Sequence, residues 1–425
     1  MKILIQSLNF HPELTGIGKY SGEMAAYLAS QGHEVRVITT PPYYPAWEIN
    51  PEYKKYFWSK EGWRDVLVWR CPIWVPKKPT GITRILHLSS FALSSFPITL
   101  FQIFWRPDAI LTIEPPLFTA PAALLTARLC GAKSVLHIQD YEVDAAFDLG
   151  LLKGRFLKRL VLSIEKFLLQ RFDLVSTISN RMVERALSKG LPVEKVYLFP
   201  NWADVPLDEQ KHSRSIEALF ESRLAYRKKL GVPQDSVVVL YSGNMGAKQG
   251  LEILSEVVEK FQQREAALPL VHFIFCGEGV SRRVLEQQCQ QLKFVQFLDL
   301  QPAEYLSEFL AMADIHLLPQ RADAADLVMP SKLTGMLASG RPVLACANAG
   351  TEVSNIVRHC GLVVPPEDPD AFYEALTKLI ADSLLRQALG LAGSEYARKH
   401  LSQDHILGNF EFRLAALCKA QRRQV

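Results

Sequence analysis

Five short segments of this 425-residue chain hold residue types at spacings that suit the binding of an anion or the handling of a proton. The fullest runs from Ser242 to Leu251, SGNMGAKQGL, directly after the apolar run VVVLY and before a helical pattern. There Gly243, Gly246 and Gly250 can present backbone N–H groups at a strand end, next to Asn244, while Lys248 offers a mobile positive charge. The combination suits a diphosphate, although it lacks the G-x-x-x-x-G-K-[ST] order of a P-loop, which argues against ATP or GTP hydrolysis. A related turn, NFHPELTGIGKY (9–20), follows the first apolar run, with Gly16 and Gly18 feeding a helix. Ser21 stands where the dinucleotide fingerprint would have its third glycine. A third glycine turn, CGEG (276–279), carries Glu278 at another strand end. Farther on, MPSKLTGMLASGRPV (329–343) places Ser331 and Lys332 at the start of a helix that closes at Gly340. A capping serine, an early proline and an adjacent lysine make a second anion site, and two such sites in one domain can grip one extended diphosphate.

The fifth segment is VLHIQDYEVD (135–144), which brings His137, Asp140, Glu142 and Asp144 to the end of a strand. Imidazole beside carboxylates serves proton transfer or charge stabilisation near neutral pH, and a structural histidine satisfied by its neighbours is the alternative. No nearby Ser or Cys forms a nucleophile elbow, and the isolated histidines do not have metal-ligand spacing.

The elements that position these segments are legible in the alternation of short apolar runs with helical patterns, the sign of βαβ units and parallel sheets covered on both faces. Six runs (3–7, 35–39, 109–113, 134–138, 174–178 and 196–200) form a first series, and six more (236–243, 271–277, 294–299, 315–319, 341–346 and 361–365) form a second. Two sheets and two domains are expected, joined by a polar linker from Pro200 to Arg214. With 48% hydrophobic and 22% charged residues the chain is not mainly disordered, and its length is too great for one small module. Its seven cysteines are scattered and never spaced C-x-x-C, so neither a zinc site nor a disulfide framework is expected, and a reducing cytoplasm fits.

Net charge divides unevenly: residues 1–205 hold 24 Lys and Arg against 18 Asp and Glu, and the remainder 24 against 26. A basic first half without long like-charge blocks suits anionic small molecules or an anionic membrane surface better than nucleic acid. From Ile85 to Trp105 no Asp, Glu, Lys or Arg occurs. That length can span a bilayer, but Ser89, Ser90, Ser94, Ser95 and Pro97 interrupt it, so a monotopic surface element and a buried helix are the competing readings. A basic helix over 153–171 is expected to turn Phe156, Leu160, Ile164, Phe167 and Leu168 to the core and its charges to solvent, with lipid contact the alternative.

Taken in order, FHPELTGIGKY, PPYYP (41–45), the PDAIL and PP pair at 107–116, HIQDYEVD, FPNWAD (199–204), YSGNMGAKQGL, the AEYL and ADIHLLPQ stretch, VMPSKLTGMLASGRPV and AGTE with GLVVPPEDP resemble a retaining glycosyltransferase of the GT-B fold and the family-four type, in the branch that builds colanic-acid-like exopolysaccharide. The resemblance covers nearly the whole chain. It implies an α/β protein of two facing Rossmann-like domains with parallel sheets: residues 1–205 binding the acceptor, 206–400 binding a nucleotide sugar, and a helix in 401–425 crossing back to the first domain. It places Gly16 and Gly18 near the donor phosphates, His137 at the position of the usual active-site histidine with Asp140 as its acidic neighbour, Gly243 to Gly250 in the phosphate loop, and Glu352 late in the donor site.

Three departures from the family pattern stand out. Asn244 and Gln249 replace the Arg and Lys common in the phosphate loop, with Lys248 one position out of step and Lys332 available to supply the charge. The E-x7-E carboxylates are absent, since Leu327 and Gly335 occupy those positions, leaving Asp326 and the backbones of Val328 and Met329 to meet the sugar. The implied partners are a nucleotide-sugar donor and a lipid-linked saccharide acceptor, met by peripheral contact with anionic lipid on the inner face of the cell membrane. Neither a metal nor a further cofactor is implied. A nucleotide-sugar epimerase of the same architecture, and a non-catalytic partner of a polysaccharide assembly, are the rival readings.

Overall fold

The computed structural model describes residues 1–13, 16–54, 57–77, 80–143, 155–205, 209–246, 249–263, 268–302, 305–322 and 331–422. The chain divides into two units, Met1–Pro200 with Leu407–Val425, and Asn201–Ile406.

The first unit runs β1 (Lys2–Gln6), α1 (Gly16–Ser30), β2 (Glu34–Thr39), β3 (Ser59–Trp63), β4 (Val66–Arg70), α2 (Gly81–Phe101), β5 (Ala109–Glu114), α3 (Ala120–Cys130), β6 (Lys133–Ile138), α4 (Arg155–Arg171), β7 (Leu174–Thr177), α5 (Asn180–Ser188) and β8 (Val196–Leu198). Its eight strands lie in the order β3-β4-β2-β1-β5-β6-β7-β8. Every pair is parallel except β3 with β4. That hairpin was not among the expected strands. Its turn residues Arg64 and Asp65 both adopt positive φ, a turn usually announced by Asn-Gly or Asp-Gly, and the strand SKEGW has little β-propensity to reveal it. Strand β5 is buried along its whole length, as a central strand covered on both faces must be.

The second unit runs α6 (Glu209–Lys229), β9 (Val237–Ser242), α7 (Glu252–Gln262), β10 (Val271–Cys276), α8 (Arg282–Cys289), β11 (Val295–Leu298), α9 (Leu306–Ala311), β12 (Ile315–Leu318), α10 (Ser331–Ala338), β13 (Val343–Cys346), α11 (Glu352–Val357), β14 (Gly361–Val364), α12 (Pro369–Ala381) and α13 (Ser383–His400). Six parallel strands lie in the order β11-β10-β9-β12-β13-β14. The expected linker over 200–214 is not all linker, because α6 begins at Glu209. Farther along α6, Arg223 and Arg227 both reach the Asp314 carboxylate, which also accepts the Val238 N–H at 2.8 Å. The polar composition that suggested a linker thus belongs in part to a helix whose later arginines are tied to the sheet.

A last helix, α14 (Gln403–Arg422), carries the chain back into the first unit. Phe410 stacks on Phe199 with centroids 4.1 Å apart, and His33 Nε2 lies 3.0 Å from Glu411 Oε1.

Each sheet has one place where the strand order reverses, beside β1 and β5 in the first unit and beside β9 and β12 in the second. Helices on either side leave a crevice at the carboxyl ends of such strands, which is where open α/β sheets bind ligands. Both the 7–18 loop and the 243–251 turn start from these strands.

Candidate active site

In the second unit the glycine turns after β9 and β10 are built against each other. Gly243 N–H donates to the Cys276 carbonyl at 2.9 Å, and Met245 N–H to the Glu278 carbonyl at 2.8 Å. A side chain on Gly277 would place its Cβ 1.9 Å from the Gly243 oxygen, so the backbones can approach only because no Cβ is present. Glu278 itself is exposed and its carboxylate accepts from Arg282 at 2.8 Å.

Lys332, in the first turn of α10, lies along the Gly243 turn. Its Nζ donates to the Tyr241 hydroxyl at 2.8 Å, to Gln249 Oε1 at 3.0 Å and to the Asn244 carbonyl at 3.4 Å, and sits 4.5 Å from the centre of the Tyr241 ring. All these partners are neutral. Withdrawal from water pushes the Lys332 ammonium down to about 7. An ammonium with dipolar partners and, among the described residues, no carboxylate within hydrogen-bond reach is prepared for an anionic ligand. Gly246 and Gly250 complete the turn, Gln249 N–H donating to the Gly246 carbonyl at 3.1 Å. Glu352 begins α11, beyond β13, where Thr351 Oγ1 caps the helix by accepting the Ser354 N–H at 3.2 Å. Ser331 starts α10, but its side chain, and with it the expected capping, lies outside the described residues. So do Lys248, Asp326, Val328 and Met329.

In the first unit Gly16 opens α1 and Gly18 follows in its first turn. A Cβ on Gly18 would fall 2.7 Å from that of Glu13, whose buried carboxylate accepts the Tyr43 and Tyr44 N–H groups at 2.8 and 2.9 Å and Asn9 Nδ2 at 2.7 Å. The loop after β1 is thereby fastened to the segment after β2. Arg70, from β4, ties the same two segments by donating to the His11 and Thr40 carbonyls.

His137, near the end of β6, is 3% exposed. Its Nδ1 lies 3.0 Å from Ser176 Oγ and its Nε2 2.9 Å from Gln139 Nε2, with the Phe199 ring 4.8 Å away. Gln139 donates to Nε2, so Nδ1 carries the proton and donates to Ser176. Burial holds the imidazole down to about 3, so it is neutral near pH 7 and works through hydrogen bonds rather than as a base. Asp140 follows in a half-buried bend.

Beside them lies a group of acids that spacing alone did not assemble. Glu114, at the end of β5, is fully buried with neither carboxyl oxygen hydrogen-bonded, and burial together with Glu142 and Glu165 raises it well above the usual carboxylate range. Burial likewise raises Glu142 to about 7, although its Oε2 accepts the Leu117 N–H at 3.1 Å. Glu165 accepts from Lys189 Nζ at 2.6 Å, with side chains only 2% and 8% exposed. Asp144 lies outside the described residues. Glu13, Tyr241 and Lys189 have no signal in the sequence, because each acts through partners distant in the chain. Glu114 before two prolines, at the end of a strand, was the one available cue.

Residues 15–202 match the family described as glycosyl transferase 4-like domain, and residues 222–399 match glycosyl transferases group 1. The chain is 41% identical over 415 residues to the colanic acid biosynthesis glycosyl transferase WcaI of Escherichia coli strain K12, covering 96% of this chain and 98% of that protein. Among solved structures, sucrose-phosphate synthase from Thermosynechococcus elongatus superposes with a TM-score of 0.72 at 18% identity, over 99% of both chains. Anabaena HepE, solved with UDP and glucose, gives 0.67 at 15% identity over 98% of this chain and 100% of that one. At such identities these two likenesses show the fold.

Proposed function

The chain belongs to the group 1 glycosyl transferases with a glycosyl transferase 4-like first domain, and from that premise we propose that this glycosyltransferase moves a sugar from a nucleotide-diphosphate donor to a lipid-diphosphate-linked saccharide, with retention at the anomeric carbon and without a metal, in the assembly of a colanic-acid-type exopolysaccharide. The observation that carries the reading is the Lys332 ammonium held against the Gly243 turn by neutral partners alone.

Transfer develops positive charge on the sugar ring while the diphosphate leaves, so the protein has to stabilise growing negative charge on the leaving group. In the second unit Lys332, the N-terminus of α10 and the glycine-turn backbone supply that charge and those donors. The first unit takes the acceptor, whose hydroxyl passes its proton to the leaving phosphate. His137, being neutral, orients groups at the sugar together with Asp140. Because α10 and the Gly243 turn stem from β12 and β9, the donor phosphates rest where the strand order of the second sheet reverses. The lipid carrier confines the acceptor to the cytoplasmic face of the cell membrane, where the basic first unit associates peripherally.

Isothermal calorimetry of Lys332→Ala with nucleoside diphosphates tests the reading. Removing one charge-assisted contact weakens binding by about 1.5 to 3 kcal/mol, or roughly ten- to a hundredfold. Unchanged affinity for every nucleoside diphosphate that the parent binds would remove Lys332 from the site.

A further inference from the structure

Helix α2 is apolar on both sides. Its inward side joins the core through Leu88 and Phe91 and also holds the buried polar groups His87, Ser95 and Thr99, followed just past its end by Gln102. His87 bonds the Trp74 carbonyl at 2.6 Å and the Tyr43 hydroxyl at 3.0 Å, Gln6 Nε2 donates to Thr99 Oγ1 at 3.1 Å, and Arg36 donates to Gln102 Oε1 at 3.1 Å. The outward stripe, at helical spacing, is Ile82, Leu86, Leu93, Phe96, Phe101 and, just past the helix end, Phe104, with Leu93 76% and Phe104 84% exposed. A helix on the surface of a water-soluble unit presents a polar outward face instead. The segment Gly81–Phe104 is long and apolar enough to cross a bilayer, yet those inward bonds fix it as part of the first unit, so it is neither a free span nor a buried helix.

Exposed apolar residues continue beside it. Helix α3 packs next to α2 and α4 and leaves Leu125 and Leu129 exposed, and α4 exposes Leu160, Ile164 and Phe167. This corrects the expectation that the α4 stripe faces the core for Leu160, Ile164 and Phe167: Leu168 is partly buried, and the positions turned inward are Leu169 and Glu165, the latter held there by Lys189. Helices α2 and α3 contain no Asp or Glu, and the single acid of α4 is the buried Glu165. The exposed charges of the layer are therefore basic, among them Arg128, Lys158, Arg159, Lys166 and Arg171.

We infer that the outer face of α2, α3 and α4 docks on a bilayer containing anionic lipid, its apolar stripe entering the acyl boundary and its Lys and Arg heads reaching the headgroups. The inference rests on the proposed lipid-linked acceptor and names the surface that brings the enzyme to it. Large apolar side chains exposed together on adjoining helices mark an interaction surface, and the basic exposed charges of these three helices complement anionic headgroups. Long basic side chains lay their stems along apolar surface while their charges stay in the polar layer.

Flotation of the full-length protein with vesicles of phosphatidylglycerol and phosphatidylcholine, against vesicles of phosphatidylcholine alone, tests this. The parent should float with the anionic vesicles and release as salt rises. Leu93→Ser with Phe104→Ser should lower partitioning by about tenfold or more, since both side chains are exposed and their removal leaves the fold, the melting temperature and nucleoside diphosphate binding as in the parent. Lys158→Glu with Arg159→Glu should abolish the preference for anionic over neutral vesicles. A parent that floats with neither vesicle overturns the inference, as does a Ser double variant that floats like the parent. So does a variant that alters only self-association in sedimentation velocity, which would make the face an interface between copies. Release of nucleoside diphosphate to a water-soluble saccharide separates the two readings: transfer without flotation removes the docking surface alone, and flotation without transfer from any nucleotide sugar removes the transferase reading alone.

Discussion

At the carboxyl ends of the two sheets, the groups withdrawn from water carry opposite character. In the second unit it is Lys332, surrounded by a phenol, an amide and a carbonyl, without a described carboxylate in reach. In the first unit it is a set of carboxyl groups, Glu114, Glu142 and Glu165, with Lys189 bonded to Glu165 and the neutral His137 nearby. An unmatched cation disposes the second unit toward a diphosphate. The raised acids Glu114 and Glu142, the Glu165–Lys189 pair and a neutral imidazole dispose the first toward hydroxyl groups, which accept and donate hydrogen bonds without bringing charge. Two sheets of similar construction thus differ in the charge placed at equivalent edges, and the proposed division of donor from acceptor rests on that difference.

The sharpest way to break that comparison is to remove a lysine from each unit. Lys189→Met leaves the Glu165 carboxylate uncompensated in a buried site that already holds Glu114, and should cost about 3 to 5 kcal/mol of stability. Lys332→Met strands no carboxylate among the described residues and should leave urea midpoints nearly unchanged. Equal losses in the two variants would erase the distinction, whereas recovery of Lys189→Met by an added Glu165→Gln would secure it.

A somewhat smaller effect is expected at His137. Its replacement by Ala should slow transfer by about a hundredfold, the scale of one positioned polar group, with donor dissociation constants within a few fold. Since the imidazole is held down to about 3, the pH–rate profile of the parent should show no limb from this residue near its ordinary 6.5. Full turnover with only a lowered melting temperature in His137→Ala would make it a structural histidine and turn attention to Asp140.

Donor binding should itself depend on pH in a definite direction. Below about 7 Lys332 is charged before the diphosphate arrives, and above it the ligand must bring a proton along. Affinity should therefore fall by up to about tenfold per pH unit above 7, and Lys332→Arg, which stays charged, should flatten the slope. Calorimetry in buffers of different ionisation enthalpy detects the proton uptake directly, and its absence at pH 8 would contradict the assignment.

The smallest effect belongs to Glu142. Its folded carboxyl is raised to about 7 from an ordinary 4.5, so relative to the unfolded chain it disfavours folding once the unfolded form ionises. Its contribution is most favourable below 4.5 and is lost as pH rises toward 7. For a half-buried, partly screened group the change amounts to roughly 1 kcal/mol, and Glu142→Gln should remove it from stability curves taken between pH 4.5 and 7.

Much of the architecture is legible in the sequence alone. The alternation of apolar runs with helical patterns located all six strands of the second sheet and six of the eight in the first, because a strand buried on both faces has to read as an unbroken apolar run. The glycine turns were legible for a related reason, since the Gly277 position tolerates no Cβ against the Gly243 carbonyl. The β3–β4 hairpin was not, because its turn departs from the usual residue types. The orientation of α4 was misread: helical periodicity reports that a stripe exists and is silent on which way the stripe faces when one charged residue, Glu165, finds a buried partner in Lys189.

The sequence by itself determined the two αβ series, their order, the glycine turns and the placement of Lys332 at a helix start, all of which depend on spacing over a few residues. Only the tertiary structure decided what each charged group meets. Whether Lys332 has an acid partner, whether His137 is a base or a neutral hydrogen-bonding group, and whether Ile164 and Phe167 face core or solvent depend on residues far away in the chain, such as Tyr241, Ser176 and Lys189. Burial and Coulomb interaction act through space over a few ångströms, so the strand register that sets Ser176 beside His137 had to form before the chemistry of that imidazole had a value.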